Sequence, residues 1–186
     1  MNALLIHEYL ERLSNLFRSE ERKGGVEFGL QPVQLEALHY LAICNRYSDT
    51  PQAVAEYLGL TKGTVSQTLL VLEAKGLITK IGDLEDKRMV HLKVTPTGRR
   101  LLNEAIPAPL LRLACARLTE EERTQVVAGL KVLLMACQAA NQNKTFGVCH
   151  TCRHHMREAA GGGFCGLLQQ PLTFEDALMI CREHAA

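Results

Sequence analysis

Apolar side chains at Leu4, Leu5, Tyr9, Leu10, Leu13, Leu16 and Phe17 recur at helical spacing, which predicts an amphipathic first helix. The charged and glycine-containing run SEERKGG, residues 19–25, is expected to end it. A second helix is predicted from Pro32, a favourable first helical position, through VQLEALHYLAIC. Thr50 as N-cap, Pro51 behind it and Gly59 as C-cap frame a short third helix. Thr61 caps a fourth, KGTVSQTLLVLEAKG, whose Val65, Leu69 and Leu72 share an inward face and which Gly76 terminates. Two short helices joined by a tight glycine-containing turn make a helix-turn-helix.

The period then changes. Two β-rich runs, Leu77 to Ile81 and Met89 to Val94, flank a polar tip from Gly82 to Arg88, the pattern of a hairpin with a longer loop. Helix resumes at TPTGRRLL, with a break expected around Pro107 and Pro109. Thr119 and Glu122 stand at capping-box spacing before a long helix with Val126, Val127, Leu130, Leu133, Leu134 and Cys137 on a broad apolar face. The fold class is mostly α with a small β-hairpin wing, a winged helix-turn-helix. Its expected organisation is an N-terminal dimerisation helix (1–31), the winged helix-turn-helix (32–97), C-terminal dimerisation helices (98–142) and a cysteine-rich extension (143–186). The first helix and the last long one, each more apolar than a surface needs, are the expected homodimer interface.

Length and charge change this picture little. With 186 residues, 47% of them hydrophobic, the chain can bury one core and a small appendage, and a net charge of +1 offers no whole-chain argument for nucleic acid. The apolar run before His7 and Glu8 is too short for a signal peptide or membrane span, so a cytoplasmic protein is expected. In that compartment seven cysteines argue against disulfides. Cys44, Cys115 and Cys137 lie in apolar helical patterns and are expected to be core thiols.

Local chemistry is more informative. The start of a recognition helix approaches base edges in the major groove, and here that stretch offers Thr61, Lys62, Thr64, Ser66, Gln67 and Thr68. Gln67 suits an adenine edge, while Lys62 and the hydroxyls suit phosphate or guanine. The hairpin adds Lys80 at its base and Lys87 and Arg88 at its tip, where an arginine can enter the neighbouring minor groove.

The stretch LGLTKGTVSQTLLVLEAKGLITKIGDLEDKRMVHLKVTPTGRRLL is similar to the MarR family of bacterial winged-helix regulators. The family's wing Asp-x-Arg corresponds to Asp86 and Arg88, and its Leu-x-Leu-Thr-x-x-Gly pattern to Leu92, Val94, Thr95 and Gly98, with a valine at 94 as a conservative departure. The resemblance covers residues 1 to 142. It implies a homodimer with intertwined terminal helices that reads a pseudo-palindromic operator, usually a repressor relieved by a ligand or oxidant. It implies further that Asp86 orients Arg88, that a small-molecule effector can sit between the reading and dimerising parts, and that no catalytic group is present.

The resemblance is silent on residues 143–186, where the spacing is Cys149-x2-Cys152-x12-Cys165-x15-Cys181. Two intervening residues let the sulfurs of the first pair converge on one metal. Arg153 after the second cysteine excludes a c-type haem site, no βαβ pattern supports a thioredoxin motif, and the His-x-Glu of a zinc deaminase is missing. Four thiolates suit a tetrahedral zinc or an iron-sulfur cluster. The wide spacing and the glycines before Cys165 favour a cluster, 2Fe-2S ahead of 4Fe-4S, used as a redox, iron or sulfur sensor. Zinc and a metal-free thiol switch stay open. His150, His154, His155 and His184 are expected to be solvated neighbours, with replacement of one cysteine ligand by a histidine left open. Two further classes remain, a metal-dependent redox enzyme on a winged-helix scaffold and a zinc-stabilised interaction module that does not bind DNA.

Overall fold

A computed structural model describes residues 2–83, 86–141, 146–157 and 163–185, excluding the side chains of 21–27. Six helices and one hairpin form its first part: α1 (Ala3–Glu27), α2 (Pro32–Ile43), α3 (Pro51–Leu58), α4 (Lys62–Ala74), β1 (Ile78–Gly82), β2 (Val90–Val94), α5 (Pro96–Ala105) and α6 (Pro109–Arg117). A long helix α7 (Glu120–Ala140) follows. The extension then holds a 3-10 turn (Cys149–Thr151), strands β3 (His155–Arg157), β4 (Gly163–Cys165) and β5 (Gln170–Leu172), and a short α8 (Phe174–Leu178).

Local chemistry sets the boundaries. The Thr50, Thr61, Thr95 and Thr119 side chains each accept a backbone N–H at the start of their helices, and Thr119 and Glu122 complete a capping box. Gly59, at φ 64°, and Gly76, at φ 67°, end α3 and α4 in the left-handed region that glycine enters without strain. The expectation for α1 needs correction. The helix runs through Gly24 and Gly25 to Glu27 and turns at Gly29 with φ 63°. Two glycines cost a long helix only about 2 kcal/mol, which does not stop propagation when a better C-cap lies four residues on.

Strands β1 and β2 pair antiparallel from Ile78↔Val94 to Gly82↔Val90. The core gathers Leu38, Tyr40, Val54, Val65, Leu69, Leu72, Ile78 and Leu92, each fully buried, so that α2, α3, α4 and the root of the hairpin share one apolar centre. Of the segments expected to dimerise, α5 joins it through Leu102, while α1, α6 and α7 do not. No residue of α6 or α7 is buried, and Leu4, Leu5, Tyr9, Leu10, Leu13 and Leu16 of α1 stand in solvent in the protomer.

Cys44 is buried in the core as expected, and burial followed by the Asp49 charge pushes its thiol up to about 12. Cys115 is half-buried. Cys137 is exposed, contrary to the core expectation, because the apolar face of α7 that carries it is not covered within the protomer.

In the extension β3, β4 and β5 form a small antiparallel sheet in that order. Its second core holds Cys149, Cys165, Leu172 and Cys181, flanked by Tyr47 and Leu168. The lobe is stitched to the winged helix at the end of α2: Asn45 N donates to Ile180 O (2.9 Å) and Ile180 N to Ile43 O (2.9 Å). The expected boundary at 142/143 and the glycines at 161 and 162 lie outside the described residues. No helix among the described residues is long and apolar enough to cross a membrane.

Candidate nucleic-acid interface and cysteine lobe

The start of α4 presents Thr61, Lys62, Thr64, Ser66 and Gln67 on an exposed face. Thr61 Oγ1 accepts Thr64 N and also bonds the Thr64 hydroxyl at 3.0 Å, so two of these hydroxyls are engaged at the cap. Thr68 departs from the expectation. It lies three residues after Val65 and beside Leu69, on the inward side of the helix, and is buried at 5% exposure, out of reach of a duplex.

The wing is organised by its carboxylates. Asp83 Oδ1 accepts Asp86 N at 2.7 Å, and Asp86 Oδ1 accepts Arg88 N at 2.9 Å. The Asp86 carboxylate therefore acts on Arg88 through the main chain, closing a turn that Met89 N→Asp86 O completes at 2.8 Å. Lys87 and Arg88 project from this turn, exposed, while the tip residues 84 and 85 lie outside the described residues. Lys80 pairs with Glu73 of α4 at 2.6 Å, so it braces the wing against the recognition helix.

A charged clamp at the hairpin root was not visible in the sequence. His91 Nδ1 meets Asp49 Oδ1 at 2.5 Å and its Nε2 meets Asp83 Oδ2 at 3.0 Å, while Lys93 Nζ donates to Asp49 Oδ2 at 2.5 Å. Burial alone would lower the imidazole, but the two carboxylates outweigh it and hold His91 above its usual value. Asp49 also accepts Leu92 N on its carbonyl at 2.7 Å.

In the lobe Cys149, Cys165 and Cys181 are buried together, and Cys152 is half-buried beside them. Burial, and then the neighbouring sulfurs of Cys181, Cys165 and Cys152, push the Cys149 thiol up to about 12. The sulfurs collect N–H donors: Leu168 N reaches Cys165 Sγ at 3.5 Å and Ala185 N reaches Cys152 Sγ at 3.4 Å. Burial raises the Cys181 thiol against the opposing pull of the Glu183 backbone and the Asn45 and Ser48 side chains. All four cysteines are free thiols. Their side chains share one lobe but do not stand at ligand spacing: among the described residues no group of three or more His, Cys, Asp or Glu is arranged to hold a metal ion.

The histidines divide. His150 is exposed and its ring meets Ala177 O at 3.1 Å. His184 is not a solvated neighbour: it is buried against Gly147, bonds Thr151 Oγ1 through Nε2 at 2.9 Å, and is lowered by that burial. His155 Nε2 is buried without a hydrogen-bond partner.

Two polar anchors fix the lobe. Arg182 makes a two-pronged pair with Glu56 of α3, both contacts at 2.7 Å. Arg46 reaches Asp176 at 3.3 Å and Pro171 O at 2.6 Å, where Tyr47 Oη also donates at 2.7 Å.

Against known proteins, residues 28–100 match the MarR family. The organic hydroperoxide resistance transcriptional regulator of Bacillus subtilis (strain 168) is 30% identical over 92 residues, half of this chain and 63% of that regulator's length. The chain thus spans less than two thirds of this curated relative. The structure of Staphylococcus aureus MepR in complex with DNA is 28% identical, with a TM-score of 0.54 over 69% of this chain and 96% of that one. A MarR regulator from Methanosarcina mazei, 17% identical, shares the fold with a TM-score of 0.62 over 73% of this chain and 98% of that one. MarR regulators are non-enzymatic DNA-binding transcription factors. The segment that matches the MarR family, residues 28–100, is the winged helix at the centre of this chain.

Proposed function

We propose that the protein is a cytoplasmic transcription regulator, acting as a repressor, that reads a pseudo-palindromic operator as a homodimer and carries a metal on the four cysteines of its extension. The observation that carries the DNA reading is the exposed row Lys62, Thr64, Ser66 and Gln67 at the start of α4, flanked by the projecting Lys87 and Arg88 of the wing. The related MepR has been seen on DNA. A dimer is supported by the uncovered apolar faces of α1, α6 and α7, which a second copy would bury. A small-molecule effector has room in a cleft of about 700 Å³ between the reading and dimerising helices, lined by Phe17, Phe28, Leu35, Glu36, Pro107 and Leu111.

Cys149, Cys152, Cys165 and Cys181 would hold the metal. The cysteine spacing favours an iron-sulfur cluster with a sensory role, which when bound would make the lobe responsive to oxidants or to iron supply. Zinc is a second reading favoured by one observation: among the described residues the lobe's buried apolar core, apart from its cysteines, is Leu172, too little to fold a segment of this size without a staple.

Two measurements test the proposal. Duplexes selected from random sequence by the purified chain should be palindromic, bind with a steep salt dependence and lose about one unit of salt slope in Arg88→Ala. Failure to select any duplex would refute the regulator. Anaerobically purified protein should be red-brown for a cluster, or colourless with stoichiometric zinc. Metal-free protein with a fully folded lobe would refute the centre, and equal operator affinity with and without metal would refute its sensory role.

A further inference from the structure

Two carboxylates from different parts of the fold close on one imidazole. Asp49, in the turn between α2 and α3, is 3% exposed and places Oδ1 2.5 Å from His91 Nδ1. Asp83, where β1 gives way to the wing, places Oδ2 3.0 Å from His91 Nε2. An ionised carboxylate only accepts, so a ring that serves both must donate from both nitrogens, and only the imidazolium can. A neutral ring has one N–H and would turn a lone pair on the other carboxylate. Lys93, two residues along the same strand, takes the second Asp49 oxygen at 2.5 Å. The other elements packed against β2 bring their own groups. On α2 stands the buried Cys44 thiol, and on α5 Arg99, which lines the same cleft as Asp49 and Lys93. Glu56 of α3 is held by Arg182, and Lys80 of β1 by Glu73.

From His91 the contacts run outward to the wing tip. Asp83 N donates to Met89 O at 3.1 Å, and Asp83 Oδ1 accepts Asp86 N at 2.7 Å. Asp86 Oδ1 in turn accepts Arg88 N at 2.9 Å. The Asp83 carboxylate thus keeps one oxygen on His91 and the other on the turn that carries Lys87 and Arg88.

We infer that His91 is a positioning residue for DNA reading: as the imidazolium it holds Asp83 and through it the Asp86–Arg88 turn, so that operator affinity falls as the ring loses its proton. The inference rests on the regulator reading above. Of the two contacts, the one to Asp83 is given up. It is the longer, and the Asp83 side chain is 25% exposed against 4% for Asp49, so water replaces a donor to Asp83 at less cost than one to a buried carboxylate. The two carboxylates also hold the imidazole above its usual value, so the bridge is complete below about pH 6.5 and is lost as pH rises through the raised value.

The test measures affinity for the duplex the chain selects, at fixed ionic strength, between about pH 6 and 8.5. Hydrogen-exchange protection of Asp86 N and Arg88 N, corrected for intrinsic rates, is followed over the same range. Wild type should lose about 5- to 10-fold in affinity, the lower part of what one DNA-contacting arginine contributes, with protection at both amides falling in step. His91→Gln should bind weakly with a flat profile. Asp83→Asn keeps an acceptor for Asp86 N and offers a neutral ring an N–H, so it should lose the pH dependence, and it decides the matter if His91→Gln does not fold. Lys87→Ala with Arg88→Ala should flatten the profile too, which a purely structural role for His91 would not do. No selected duplex at all overturns the regulator reading and this inference with it. A duplex bound equally across the range overturns this inference alone. So does a fall in affinity that survives in Asp83→Asn or without Lys87 and Arg88, and so does protection at Arg88 N that does not change with pH.

Discussion

Gly98→Ala separates helix propensity from packing at the root of the wing. Gly98 is the third residue of α5 and its φ does not fall in the left-handed region, so the backbone itself would accept alanine. Taken alone, the substitution gains about 1 kcal/mol of helix propensity. The space says otherwise. A Cβ at this position would lie 2.3 Å from the Leu77 carbonyl oxygen, 3.2 Å from its carbon and 3.0 Å from Val94 Cγ1. Relief requires α5 to retreat by roughly 1 Å from β1. Thr95 N→Leu77 O (3.0 Å) and the cap Gly98 N→Thr95 Oγ1 (3.1 Å) lie in the path of that retreat. Overpacking of about 1–3 kcal/mol with a weakened cap of about 1 kcal/mol outweighs the propensity gain. The net is about 2 kcal/mol of destabilisation, a fall in Tm of about 4–8 °C for a chain of this length. Thermal unfolding followed by far-ultraviolet circular dichroism measures it. An unchanged or raised Tm would show that α5 slides freely past Leu77 and that propensity, not contact, governs this glycine.

Two other consequences are open to direct measurement. His91 is held above its usual value between Asp49 and Asp83, with Lys93 sharing Asp49, so its contribution to stability is complete below about pH 6.5 and lost as pH rises through the raised value. Urea unfolding between about pH 5.5 and 8.5 should show wild-type stability falling over that window and a flatter profile for His91→Gln; identical profiles would refute the clamp. Glu56→Ala removes both prongs of the partly buried Arg182 pair and should cost about 1 kcal/mol. Its sharper signature is faster hydrogen exchange at Ile180 N and Asn45 N, and unchanged exchange there would mean that the lobe is held without Arg182.

The parts of the fold written in short-range chemistry were legible from the sequence. Thr50, Thr61, Thr95 and Thr119 cap helices because a hydroxyl beside free N–H groups is a local arrangement, and the change from helical to alternating spacing at Leu77 marked the hairpin within one residue. Failures came where a distant partner decides. Thr68 reads as a polar groove residue by composition, yet helical phase places it with Val65 and Leu72. Cys137 reads as a core thiol because its helix is apolar, but that face has no cover in one chain. Neither the clamp on Asp49 nor the Ser48–Arg182 join has a sequence signature. Asn45 to Asp49 reads as a polar connection, and its partners lie 42 and 134 residues away, at His91 and Arg182.

That short connection couples the extension to the wing. Ser48 Oγ accepts Arg182 N at 2.9 Å and Asn45 N donates to Ile180 O at 2.9 Å, so the extension holds the turn from one side, while Tyr40 Oη donates to Ser48 O at 2.8 Å and fixes it to α2. Asp49, next in the chain, holds β2 through its carbonyl and carboxylate. A displacement of the extension would therefore reach the wing before it reached α4.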